Sequence, residues 1–311
     1  MTRRCRTPYW KSLALCCVLC LVAASCQREP LYELNEDMVL RLSLDLSLED
    51  STMIKKPTAP SFFKAVFYDH ETHEKVSEMY CGRGGGQIYG VEPGRYDVLV
   101  YNYDTEYTRL TGENNFYTVM AYTEEAIARS QPAGRIIREP DHLLVARDTD
   151  FVIPYTTLKD TTIVIRQKLS TIMDSYSLRV DSLQGLENIS SIQVYLTGHS
   201  PSNHIGPNQR STEPVTLSIP CYVDLQNYCL YTEFCTFGKL PGIEGMAHLN
   251  IYVEGMGGEV YEFEEDITDQ YLREDHHLRI CVHGKIFPRQ DSGFTPEVDE
   301  WKTEVTDIEL F

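Results

Sequence analysis

The residue with the clearest chemistry is Cys26. It follows Ala23, Ala24 and Ser25, and these small residues close an apolar run that begins at Leu13. Arg3, Arg4, Arg6 and Lys11 form a basic flank ahead of it. A basic flank, a short apolar core and small exit residues describe a signal peptide. The core from Leu13 to Ala24 holds 12 residues, whereas a bilayer-spanning helix needs roughly 20. A cysteine directly after Ala-Ser fits the bacterial lipoprotein signal, in which that cysteine becomes the first mature residue and carries acyl groups. Ala23 stands three positions before it, where Leu is favoured. The alternative is an ordinary secretory signal in which Cys26 is incidental. Each buried CH2 contributes about 0.8 kcal/mol, so several acyl chains on Cys26 would hold a soluble domain at a membrane.

Other reactive residue types fall into no catalytic or metal-binding pattern. Beyond Cys26 there are five cysteines, Cys81, Cys221, Cys229, Cys235 and Cys281. An odd number in an exported chain leaves at least one thiol free, and the sequence does not select any disulfide pair. Cys221, Cys229 and Cys235 lack CxxC spacing, which argues against zinc. His276 and His277 lie in a charged run and read as solvated surface. Glu262, Glu264, Glu265 and Asp266 are plentiful carboxylates, but a glycosidase needs two placed across a cleft. The run reads as a solvated face. The Gly82–Gly86 stretch lacks the GK[ST] of a phosphate-binding loop and reads as a flexible turn. Nothing couples a Ser or Cys nucleophile to a His and an orienting acid. The expectation is a non-enzymatic protein without catalytic, metal or cofactor residues.

Charge and length bound the rest. The chain carries 28 basic and 46 acidic residues, a net charge of −18. Residues 1–25 hold four of the basic residues and no acidic one, so without them the charge becomes −22. Such a surface repels nucleic acid. Removing residues 1–25 leaves 286 of 311 residues, enough for two ordinary domains.

The elements that would position any site are strands. Leu40, Leu42, Leu44, Leu46 and Leu48 alternate with polar residues, and period-2 alternation sends every Leu to one face of a strand. Phe62–Tyr68, Gln87–Tyr89 and Tyr96–Tyr103 follow as strands, the last after the turn Glu92-Pro93-Gly94-Arg95. Ala121–Arg129 reads as a short helix. His142–Ala146 and Asp150–Ile153 look extended, and Pro154 closes this half. The pattern then restarts with Thr161–Gln167, Tyr176–Leu183 and Ser191–Leu196. Gly198–Pro214 reads as a polar loop. Val215–Ile219, Leu230–Phe237, a hairpin of Leu249–Glu254 with Val260–Phe263, and Leu278–Val282 complete the strands. Many short strands with little helix predict an all-β protein of two β-sandwich domains. The expected organisation is a signal peptide at 1–25, a tether at 26–36, an N-terminal sandwich at 37–154 and a C-terminal sandwich at 155–311.

An ordered set of segments carries a family resemblance: the lipoprotein signal, PGRYDVLVYNYDTE, FVIPY, LENISSIQVYLTG, and FCTFGKL, LNIYVEG, YEFEEDITDQ and FTPEVDEWKTE toward the end. Together these resemble a Bacteroidales lipoprotein family of unknown function, similar to the fimbrillin-type anchor and accessory subunits of major and minor fimbriae. The resemblance covers nearly the whole chain after the signal. It implies two tandem transthyretin-like, Greek-key β-sandwiches on a lipid anchor at the outer membrane. It also implies fimbrillin-type pilus subunits as partners, joined by β-augmentation, with Trp301–Phe311 one candidate donor strand and an ordinary edge strand the competing reading. Gln27-Arg28-Glu29-Pro30 matches the acidic surface-export signal of such bacteria poorly, so outer-membrane attachment is better supported than outward display. Asp50-Ser51-Thr52, Asp160-Thr161-Thr162 and Asp181-Ser182-Leu183 resemble its short O-glycosylation pattern. A competing reading is a surface lipoprotein that binds a glycan or host ligand, with exposed aromatics between Tyr101 and Tyr107 stacking on sugars.

Overall fold

The leucine alternation forms strand β1 (Val39–Asp45), with Leu40 and Leu42 buried and Arg41 exposed between them. A computed structural model describes residues 39–45, 53–56, 58–89, 91–126, 134–155, 162–240, 246–273, 276–286 and 302–304. All of these lie in one compact unit. Leu46 to Leu48 fall outside the described residues, as do Cys26 and the expected signal peptide and tether.

Strands β2 (Phe62–Asp69), β3 (Lys75–Gly82), β4 (Gly86–Ile88) and β5 (Gly94–Asn102) follow. Phe63–Tyr68 and Tyr96–Asn102 are buried without interruption, because β5 and β2 are inner strands covered on both faces. Strand β3 alternates half-buried and exposed residues along its whole length and lies at the sheet edge. Next come β6 (Thr108–Thr111), β7 (Met120–Thr123), β8 (Ile136–Arg138) and β9 (Leu144–Ile153). The chain continues through β10 (Thr162–Lys168), β11 (Ser170–Thr171), β12 (Asp174–Gln184) and β13 (Ile189–His199). Then follow β14 (Ser202–His204), β15 (Gln209–Arg210), β16 (Val215–Ile219), β17 (Tyr222–Asp224) and β18 (Cys229–Thr236). The last are β19 (His248–Gly255), β20 (Val260–Asp266), the short helix α1 (Thr268–Tyr271), β21 (His277–Lys285) and β22 (Lys302–Glu304).

The strands form five sheets among the described residues: β10-β1-β4, β11-β9-β5-β2-β3, β15-β14-β7-β6, β17-β18-β12-β21-β22 and β20-β19-β13-β16-β8. The protein is thus all-β, as its sequence predicts. The last two sheets share one core. Tyr176, Leu178, Val180, Leu230 and Ile280 meet Val194, Leu196, Leu217, Leu249 and Ile251 there. A second core joins Val66, Tyr68, Leu99 and Val145 to Val119 and Ala121. Cys235 and Phe237, from the end of β18 and just beyond it, also enter this second core.

Strands trade places across the expected division at 154/155. Strand β8 pairs in parallel with β16. Strand β10 pairs in parallel with β1, and β11 pairs with β9.

Two expectations are corrected. Ala121–Arg129 is not helical where it is described: Met120–Thr123 is β7, with Ala121 and Thr123 buried and its partners β6 and β14 on either side. Burial of every second residue overrides the local helical propensity. The part of this segment from 127 to 129 lies outside the described residues. Gly198–Pro214 is not a loop throughout, since β14 and β15 form a hairpin in it. Its polar residues conceal the strands, because Ser202 and Asn203 are buried and held by the ladder to β7.

Candidate functional site

The segment Arg138-Glu139-Pro140-Asp141-His142 links β8 to β9, and apolar pairs anchor it at both ends. Ile136 and Ile137 are buried on one side, Leu143 and Leu144 on the other. Side chains fix the segment between them. Asp141 Oδ2 accepts from the backbone N–H of Tyr107 at 2.5 Å and of Thr108 at 2.8 Å, while Asp141 N–H donates to Thr108 Oγ1 at 2.8 Å. Asn102, at the end of β5, donates to the His142 carbonyl at 3.2 Å and accepts from Leu144 N–H at 2.7 Å.

This fixed segment forms one wall of a cleft of about 620 Å3. A volume of that size suits a small ligand. Gln193 and Tyr195 on β13, with Ser218 on β16, contribute another wall, and Lys55 and Lys56 a third.

The carboxylates in the lining are already engaged. Glu139 accepts from Lys55 Nζ and from the Cys235 N–H, the latter at 2.8 Å. Burial raises the Glu139 carboxyl above the usual carboxylate range, against the opposing pull of Lys55. Asp104 accepts from Ser61 N–H at 2.6 Å. The Arg138 guanidinium lies 5.0 Å from the Tyr107 ring centroid, a cation–π arrangement. Its Nε is buried without a hydrogen-bond partner, and no carboxylate among the described residues pairs with it.

Cys235 Sγ lies 3.3 Å from His142 Nε2, the spacing of a nucleophilic pair. Its environment opposes that chemistry. Burial, followed by the Glu139 charge, pushes the thiol up. Burial and the Lys55 charge push His142 down to about 4. A reactive cysteine needs a depressed thiol pKa, and here both partners are held neutral.

Sequence reasoning did not single out 138–142. The available signal was its charge and Pro140 between two apolar pairs. Of the residues it did single out, Glu262, Glu264 and Asp266 are exposed along β20, as a solvated face should be, while Glu265 is half-buried. The glycine run is a turn. Gly85 adopts φ 75° with an added Cβ only 2.0 Å from the Leu42 carbonyl oxygen, so no other residue fits. His276 is half-buried rather than simply solvated. Its ring stacks on Tyr176 at 4.5 Å, and its Nδ1 lies 3.0 Å from the Ser175 carbonyl. Tyr101 is wholly buried and donates to Glu113, so it cannot stack on a sugar. Tyr103 is 39% exposed and sits 5.1 Å from Tyr80 and 6.1 Å from Phe62. Cys81, Cys221, Cys229 and Cys235 are free thiols. Among the described residues no cluster of His, Cys, Asp and Glu is arranged to hold a metal, and no helix is long and apolar enough to cross a membrane.

Comparison with known proteins places this architecture. A Bacteroides ovatus protein named as a candidate fimbrium anchoring subunit, Fim4B, is 27% identical over 163 residues, covering 51% of this chain and 47% of the relative. The chain thus spans about half the length of the curated relative it matches. A crystal structure of a candidate adhesin from Bacteroides ovatus superposes with a TM-score of 0.60 at 19% identity, covering 94% of this chain and 99% of that one. The fimbrial anchor protein Mfa2 from Porphyromonas gingivalis gives a TM-score of 0.51 at 14% identity, over 79% of this chain and 91% of its own. These two structures establish a shared fold. The family described as "Domain of unknown function (DUF5119)" matches residues 25–220, more than half of the sequence, and the chain belongs to that family.

Proposed function

We propose that this protein is an outer-membrane lipoprotein that serves a fimbria as an anchor or accessory subunit, without enzymatic activity. The observation that carries the reading is the 163-residue match to a candidate fimbrium anchoring subunit. The fold shared with Mfa2 and the Cys26 signal support it. In this reading residues 1–25 are removed and Cys26 is acylated. The rest of the chain presents two transthyretin-like sandwiches, 37–154 and 155–311, linked by the strand exchanges of β8, β10 and β11. A subunit partner would join through β-augmentation, in which main-chain hydrogen bonds supply affinity and alternate side-chain pockets supply specificity. In the tail, Lys302–Glu304 pairs with β21 of the same chain as an edge strand, which favours an internal role for it over donation.

Cross-linking of intact cells that express a tagged copy, followed by pull-down and mass spectrometry, tests the partner. A ladder with fimbrillin-type subunits supports the reading, and a lone lipoprotein overturns it. For the anchor, Cys26→Ala should move the protein fully into the soluble fraction. Unchanged membrane association would rule out acylation at Cys26.

A further inference from the structure

The cleft beside Arg138 has a chemical bias that the fimbrial reading does not explain. Its carboxylates Asp104, Glu139 and Asp141 each accept from a backbone N–H, and Glu139 also holds Lys55. The lining groups that lack a hydrogen-bond or carboxylate partner among the described residues are different. They include Arg138, whose Nε is buried and unpaired, the Lys56 ammonium, the Gln193 side-chain NH2 and the hydroxyls of Thr58 and Ser218. Gln193 spends its carbonyl oxygen on the Tyr195 hydroxyl at 2.8 Å, so its nitrogen is left as a donor. The spare capacity of the cleft is therefore donor-rich and cationic, in a chain whose net charge is −18.

We infer that this cleft binds a saccharide bearing a single carboxylate, a uronic acid, with Arg138 and Lys56 receiving the carboxylate. Three physical arguments select this class. First, Arg138 is fixed in place on the Tyr107 ring, so little rotamer freedom is lost when a planar anion arrives. Second, a hydroxyl can serve as an acceptor and rotate its hydrogen toward solvent. A sugar can thus meet a surplus of donors, whereas a peptide brings N–H donors that add to that surplus. Third, a polyanion would meet the repulsion of the whole acidic surface. A lone carboxylate inside the cleft is shielded beyond a Debye length of about 8–10 Å.

The inference is independent of the fimbrial reading, because binding in the cleft does not require assembly. The test uses the full chain purified without its signal, with methyl β-D-glucuronide and the neutral methyl β-D-glucoside as probes. Affinities are read from NMR shift titrations, and acetyl-glycyl-glycine serves as a carboxylate-bearing peptide control. The glucuronide should bind at least about tenfold more tightly than the glucoside, the size of effect expected for one charge-assisted hydrogen bond. Arg138→Gln should bring that ratio close to one. Lys56→Gln should reduce it a few-fold, and because Lys56 is exposed, this variant carries the test if Arg138→Gln fails to fold. Equal binding of the two sugars, no glucuronide-induced shift, or tighter binding of the peptide would each overturn the assignment.

Discussion

Two carboxylates in this protein, one buried and one half-buried, end up on opposite sides of the ordinary carboxylate range. Asp97, on β5, is only 2% exposed. Burial alone would raise its pKa, but His70 Nδ1 at 2.9 Å, Asp150 N–H at 3.1 Å and His73 Nδ1 at 3.0 Å together hold it below. Glu139 is 12% exposed at the side chain and receives only Lys55 and one backbone N–H. There burial prevails, and its pKa is raised. What separates the two sites is how many donors converge on each. Asp97 ties the turn after β2 to the strands beside it and leaves no access. Glu139 is less fully satisfied because one side of it faces a cleft. Completeness of the hydrogen bonding thus distinguishes a structural carboxylate from one that borders an open cleft.

The comparison breaks most sharply at Asp97. Asp97→Ala should cost about 2–4 kcal/mol, because it strands three converging donors, and the shift of the urea midpoint will show it. Since the folded-state pKa of Asp97 is depressed, its contribution is present above the unfolded carboxylate value and is lost as pH falls through the folded one. Thermal melts of Asp97→Asn should therefore lose part of the acid-side decline seen in the native chain.

Glu139→Ala should cost about 1–2 kcal/mol, mostly from the orphaned Cys235 N–H. Glu139→Gln keeps an acceptor there and should cost less than about 1 kcal/mol at neutral pH. The pH dependence has the opposite sign to that of Asp97. With a raised folded-state pKa, Glu139 adds stability as pH falls through that value, and the Gln variant should lack this gain. If Asp97→Asn and Glu139→Gln shifted the acid limb in the same direction, the contrast between the sites would fail.

The smallest effect belongs to Lys55, which is 35% exposed at the side chain. Lys55→Met should change stability by less than about 1 kcal/mol, as for other partly exposed pairs. It should also move His142 up from about 4, as a ring-proton NMR titration will show. A fixed His142 value would mean that burial alone sets it. Thiol labelling at one fixed pH offers a control. Cys235 and Cys229 are wholly buried and should resist a thiol reagent until the chain unfolds, whereas Cys81 and Cys221 are half-buried and should react before them.

Strands with strong alternation were legible in the sequence, as were long apolar runs. The leucines of β1 and the buried runs of β2 and β5 declare themselves within a few residues. The family resemblance was legible too, since it rests on ordered segments rather than on single positions. The short strands β7, β14 and β15 were not legible. Ala121, Ser202 and Asn203 are buried by partners distant in sequence, and nothing local marks them. The cleft was hidden for the same reason: Lys55, Arg138, Gln193 and Ser218 converge only after β8 has crossed to β16. The aromatic content pointed toward Tyr101, yet that ring fills the core, because β5 is an inner strand covered on both faces.

The parallel pairing of β1 with β10 bears on how the molecule would carry load. Seven consecutive register pairs join them, from Val39↔Thr162 to Asp45↔Lys168. Tension entering the chain ahead of Val39 pulls β1 by its leading end, while the remainder of the protein restrains β10 through its trailing end. In parallel neighbours, those two pulls oppose each other along the strand axis. The hydrogen bonds of the ladder are then strained together, in shear, and cannot open one at a time like a zipper. A filament rooted through such a joint would resist drag at the point where its first strand enters the fold.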